Sequence, residues 1–142
     1  MAPRLKISGI YTTALTGFLL DSGYGIVDPS AEIQDRFGLQ KTRGLPQILI
    51  QDREDLQGIH IFGEAERVSP LVRLLQDRLL DAVLLEFKTG EETPEELTGE
   101  PQASKDFSRA RLEFAGGSKE TLDNMRSSVI PTLRRHHRLR II

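Results

Sequence analysis

Arginine crowds the C-terminal end of this chain, where Arg134, Arg135, His136, His137, Arg138, Leu139 and Arg140 follow one another. Guanidinium groups gathered on one face bind phosphate. If the segment is a strand, Arg134, His136, Arg138 and Arg140 share a face opposite Leu139 and Ile141. The competing reading is a solvated edge strand whose charges discourage aggregation. His136 and His137 titrate near neutral pH and so suit general acid–base work. Neighbours on a strand point apart, however, and the only other histidine is His60, so no metal site is expected. Lys119 follows Gly116-Gly117-Ser118 ahead of a predicted helix. Free N–H groups at such a helix start, with Lys119 assisting, suit a phosphate. Ser118 as an ordinary N-cap explains the same residues, and the spacing of a Walker A loop is absent.

Thr12, Thr13 and Thr16 fall on the polar side of another predicted helix, next to Tyr11. Tyrosine can stack on a base and threonine can bond to a backbone oxygen. Here Tyr11 shares the stripe of Ala14, Leu15 and Phe18, which favours core packing. Hydrolysis of RNA calls for clustered carboxylates on magnesium. Asp21, Asp28 and Asp35 belong to different predicted elements, and Asp52, Arg53, Glu54 and Asp55 read as a charged, solubilising turn. Catalytic residues are therefore left unassigned, and no cofactor is expected.

The elements that position these residues follow from periodicity. Leu5-Lys6-Ile7-Ser8 alternates as a strand, and Tyr11, Ala14, Leu15, Phe18 and Leu19 recur at helical spacing, with Gly23 to stop them. Tyr24-Gly25-Ile26-Val27 reads as a second strand. Asp28-Pro29-Ser30 opens a short helix over 31–37, proline sitting in its first turn, and Gly38 closes it. After a loop over 39–46, Gln47-Ile48-Leu49-Ile50-Gln51 and Gly58-Ile59-His60-Ile61-Phe62-Gly63 form a hairpin. Ala65, Val68, Val72, Leu75 and Leu79 mark a helix whose period runs through Pro70 back to Glu64. Ala82-Val83-Leu84-Leu85-Glu86-Phe87 is apolar enough to be a central strand. Residues 89–105 hold almost no apolar side chains and read as an acidic, flexible linker. Ala110-Arg111-Leu112-Glu113-Phe114 alternates as a strand, Leu122, Met125 and Val129 mark a helix that Pro131 ends, and His137 opens a final strand. Residues 3–27, 58–87 and 110–142 are thus three strand-helix-strand units. The expected product is one α+β domain over 1–142, a mixed sheet with helices packed on it.

The 142 residues suffice for one core, and 38% hydrophobic with 28% charged residues suits a folded chain. No apolar run approaches the roughly 18 residues that span a bilayer, and the N-terminus lacks a secretory h-region. With no cysteine there is no disulfide or thiolate site, an absence compatible with any compartment; a cytoplasmic location is expected by default. The net charge of -2 does not advertise a nucleic-acid binder, but a local basic patch binds phosphate within a screening length of about 10 Å.

Two blocks carry a resemblance. Gly9-Ile10-Tyr11-Thr12-Thr13-Ala14-Leu15-Thr16, Leu20-Asp21-Ser22-Gly23-Tyr24, Ile26-Val27-Asp28-Pro29-Ser30 and Asp35-Arg36-Phe37-Gly38 form the first. Gly116-Gly117-Ser118-Lys119, Leu122-Asp123, Met125-Arg126, Val129-Ile130-Pro131-Thr132 and His136-His137 form the second. Both resemble the archaeal ribonuclease E/G-like family of proteins that bind AU-rich RNA. The resemblance implies a cytoplasmic RNA-binding protein and a ribonuclease acting on precursor rRNA. That family usually carries an S1-like barrel where this chain has residues 89–105, and continues past the paired histidines, so a reduced form is expected. RNA binding would then use Arg134, Arg135, His136, His137, Arg138, Arg140 and Lys119. The alternative is a non-catalytic interaction domain that uses an exposed sheet edge to form a homodimer or to dock on a partner protein.

Overall fold

A computed structural model describes residues 3–42, 44–79, 81–90, 92–98, 102–103 and 106–115. Strand β1 (Arg4–Ile7) turns into helix α1 (Thr12–Asp21), and the chain returns as β2 (Gly25–Ile26), parallel to β1. Helix α2 (Ala31–Phe37) begins at Ser30, whose hydroxyl accepts a hydrogen bond from the Ile33 amide, and ends at Gly38 in the left-handed region. Pro29 therefore stands just outside the helix rather than in its first turn, where its carbonyl accepts from the Gln34 side chain. β3 (Ile48–Asp52) and β4 (Gly58–Glu64) form the antiparallel hairpin, pairing Ile50 with Ile61 and Gln51 with His60. α3 (Ala65–Arg78) keeps Pro70 inside it, as the period running through that residue predicted.

β5 (Ala82–Thr89) corrects an expectation. Among the described residues the sheet runs β2-β1-β3-β4-β8-β5, with β8 at Phe107–Phe114, so β5 lies at its edge and not centrally. Strand β8 inserts between β4 and β5 and pairs antiparallel with both. A bulge between Leu84 and Glu86 interrupts the β5 register. Ala82 is buried and Leu84 packs on the core, while Val83 and Leu85 are 43% and 41% exposed. An apolar run thus splits between two environments, and composition alone did not separate them.

The segment 89–105, expected to be a linker, holds structure among its described residues. β6 (Glu92–Thr93) and β7 (Gln102–Ala103) pair antiparallel, and the single-turn α4 (Glu95–Thr98) lies between them. Leu97 and Thr93 are buried, and α4 lies against β3. The helix and final strand expected after residue 115 lie outside the described residues.

Helices α1 and α3 cover the same face of the sheet. Leu15, Phe18 and Leu19 of α1 and Val68, Leu71 and Leu75 of α3 join Leu5, Ile48, Ile50, Ile59, Ile61, Ala110, Leu112 and Phe114 in one core. Tyr11 is fully buried there, as its place on the apolar stripe predicted. Its hydroxyl donates to the Leu56 carbonyl at 2.7 Å, tying the start of α1 to the β3–β4 turn. Tyr11→Phe keeps the ring and removes that bond, so a loss of about 1 kcal/mol is expected. A lower urea midpoint with an unchanged slope would show it.

Candidate nucleic-acid interface

The face of the sheet turned away from α1 and α3 is built by strict alternation. Along β8, Ser108, Ala110, Leu112 and Phe114 are buried toward the helices, which leaves Arg109, Arg111 and Glu113 on the other side. On β4 the same alternation buries Ile59 and Ile61 and turns out His60 and Phe62. Register aligns these side chains across strands. One row runs Gln51, His60, Arg111, Glu86, and the next runs Lys6, Leu49, Phe62, Arg109, Lys88. Leu49 is 1% exposed although it points away from the helical layer, on the strand against which α4 lies.

Arg53, Glu54, Asp55, His60, Arg109 and Arg111 surround a shallow cavity of about 340 Å³ on this face. Asp55 pairs with Arg53 at 2.8 Å, and Glu86 takes Lys88 at 2.8 Å and Arg109 at 3.5 Å. Donors remain beyond these pairs. Arg53 Nη1, Arg111 Nε and His60 Nδ1 are buried without a hydrogen-bond partner. Beside them the His60 and Phe62 rings lie 5.9 Å apart, tilted by 27°. Guanidinium donors next to an aromatic pair can grip a phosphate and carry a stacked base.

The field at His60 agrees with that chemistry. Burial lowers its pKa, and the charges of Arg109, Arg111 and Arg53 lower it further against the opposing Glu54. The hydrogen bond from Lys88 leads the effects that hold Glu86 below the ordinary carboxylate value. Because His60 resists protonation in the folded protein, its contribution to stability is full above the ordinary value of 6.5 and is lost as pH falls below it. A bound phosphate would offset the arginines and raise the His60 pKa, so binding takes up protons. Polyanion affinity should therefore strengthen as pH falls from about 8 to about 5.5, and His60→Gln should remove the part of this dependence due to His60. Titrations across that range measure both.

Comparison with known proteins bears on the same question. No protein-family model matches the chain. Three proteins named "Probable ribonuclease FAU-1" do match part of it. The one from Thermococcus kodakarensis is 42% identical over 79 residues, covering 56% of this chain and 16% of that protein. The one from Pyrococcus horikoshii is 42% identical over 77 residues, covering 54% and 16%. The one from Pyrobaculum islandicum is 36% identical over 87 residues, covering 61% and 19%. Part of this chain is thus similar to proteins of that name. The chain spans under a fifth of the length of these relatives, 16% to 19%.

The basic cluster expected to serve as the site, Lys119, Arg134, Arg135, His136, His137, Arg138 and Arg140, lies outside the described residues, as does the turn at Gly116. Among the described residues no group of three or more His, Asp or Glu could hold a metal ion, and no helix is long and apolar enough to cross a membrane. The open face was missed as a site because it joins Arg53 and His60 of the hairpin region to Arg109 and Arg111 of β8. The local signal was the placing of Arg109 and Arg111 between the apolar residues of a strand.

Proposed function

We propose that this chain is an RNA-binding module that holds the RNA backbone across its open sheet face. The observation that carries the reading is the cavity in which Arg53, His60, Arg109 and Arg111 converge, with Arg53 Nη1 and Arg111 Nε buried there without a hydrogen-bond partner. Kinship with proteins named as ribonucleases supports RNA as the polyanion. Arg109 and Arg111 position phosphates, and the neighbouring His60–Phe62 pair offers a ring for a base. Arg134, Arg135, His136, His137, Arg138, Arg140 and Lys119 add phosphate contacts, extending the bound strand. AU-rich RNA, with precursor rRNA as its source, is the target, in line with the resemblance of the two end blocks. Binding is proposed for this chain, and cleavage is not. Anisotropy of an AU-rich stem-loop against a GC-rich control tests it. Tighter binding of the AU-rich RNA, falling steeply with salt, is expected; no binding at low salt would overturn the reading.

One observation favours a second reading. The outer edge of β5 has no partner strand among the described residues and carries exposed Val83 and Leu85. Such an edge can pair with another chain, giving a homodimer or a complex. Association of that kind would be largely insensitive to salt, whereas arginine–phosphate contact is not.

A further inference from the structure

A second cavity lies between the starts of α1 and α2, where the parallel strands β1 and β2 end, and it shares no residue with the arginine face. Its volume of about 410 Å³ falls within the roughly 300–1,000 Å³ of small-ligand pockets. The lining is of two kinds. Ser8, Thr13 and Thr16 bring hydroxyls, and Asp28 and Glu32 bring carboxylates. Ile7, Ile26, Val27 and Ile33 bring hydrocarbon. No lysine or arginine lines the cavity, and neither carboxylate has an ion-pair partner among the described residues. Two uncompensated negative charges exclude an anion and favour a cation.

The helix starts beside the cavity are already answered from within the fold. The Asp52 carboxylate accepts the Ile10 amide at 2.9 Å ahead of α1, and the Ser30 hydroxyl caps α2. Glu32, in the first turn of α2, also complements that helix, but Asp28 lies outside it. Asp28 is held at φ +51, a conformation that aspartate tolerates, with its amide donating to the Thr42 carbonyl at 2.9 Å. Thr16 supplies an independent sign of a ligand. Far from lying on a solvated face, it is 0% exposed, lines the cavity, and buries a hydroxyl with no hydrogen-bond partner. Such a group is rarely left unsatisfied in a folded protein. An ammonium group offers three N–H donors and one positive charge to this hydroxyl and the two carboxylates. Methylenes attached to it would cover the isoleucine walls. A neutral polyol would leave both charges uncompensated, and a hydrated metal ion would face hydrocarbon.

We infer that this cavity binds a small aliphatic amine, its ammonium group held by Asp28, Glu32 and Thr16 and its methylenes on Ile7, Ile26 and Ile33. The site stands whether or not the sheet face binds RNA. Putrescine, 1,4-butanediol and magnesium chloride are each titrated into the labelled full chain at constant pH and ionic strength while backbone amide shifts are followed. Putrescine should shift Ser8, Thr13, Thr16 and Asp28 in a saturable way, and neither the diol nor magnesium should do so. Asp28→Asn keeps the backbone conformation and should weaken putrescine by about tenfold. Thr16→Val keeps the shape and should also weaken it, while raising the urea midpoint of the free protein because an unsatisfied buried hydroxyl is gone. Arg109→Ala with Arg111→Ala should leave the putrescine shifts unchanged, which separates this site from the sheet face. No saturable shift with putrescine, an equal response to the diol, the same shifts with magnesium, or undiminished putrescine affinity in Asp28→Asn would each overturn the inference.

Discussion

Arg109→Ala combined with Arg111→Ala is expected to weaken binding of AU-rich RNA by at least about tenfold and to flatten its salt dependence. Each phosphate contact to a single strand contributes about 0.7 to the slope of log affinity against log salt, so losing two should lower it by about 1.4. Arg111 carries a buried Nε without a hydrogen-bond partner, and both arginines lower the pKa of His60. They face away from the core, and their β8 neighbours Ala110 and Leu112 remain to pack it, so the fold should survive. Removing Arg109 also leaves Glu86 with Lys88 as its ion-pair partner. Arg73→Ala on the exposed side of α3 is the control, expected to leave affinity nearly unchanged. An equal loss from Arg73→Ala would mean that charge alone, and not this face, governs binding.

The largest effect on stability is expected at Phe114. It is 1% exposed, ends β8 on the helical side, and meets the Tyr11 ring edge-on with centroids 5.0 Å apart. Its amide also donates to the Gln57 carbonyl at 2.8 Å, so strand, turn and helix meet around this residue. Phe114→Ala should cost about 3–5 kcal/mol through lost burial and the cavity left behind. That is a large share of the roughly 5–15 kcal/mol by which domains are stable. Phe114→Leu fills most of the space and should cost much less. Because Tyr11 touches both Phe114 and Leu56, its hydroxyl bond should weaken when the ring beside it is lost. The pair Tyr11→Phe and Phe114→Ala should therefore be non-additive in a double-mutant cycle read by urea denaturation.

Local order was legible where the information is local. The Tyr11-to-Leu19 stripe, the Ser30 and Gly38 caps and the β3–β4 hairpin each follow from residues within one or two turns of one another. The place of β5 was not legible. Its apolar run says that something covers it, but that β8 inserts between β4 and β5 depends on a strand beyond residues 89–105. Leu97 shows the same limit from the other side, since its burial depends on what α4 lies against. The site follows this pattern. Alternation places Arg109 and Arg111 on a face shared with Phe62 only through the cross-strand register, and brings His60 beside Arg111 only because β4 pairs β8. Thr16 was read as polar surface because helical spacing does not reveal its burial, nor the loop from Val27 to Ser30 that lines the same cavity.

The measurement that tests the central claim most directly is a map of backbone amide shifts as a short AU-rich RNA is titrated into the protein. Shifts concentrated on Arg53, His60, Phe62, Arg109 and Arg111, fading as salt rises, are the predicted result. Shifts that leave β4 and β8 untouched while RNA binds would contradict it and move the interface off the open sheet face.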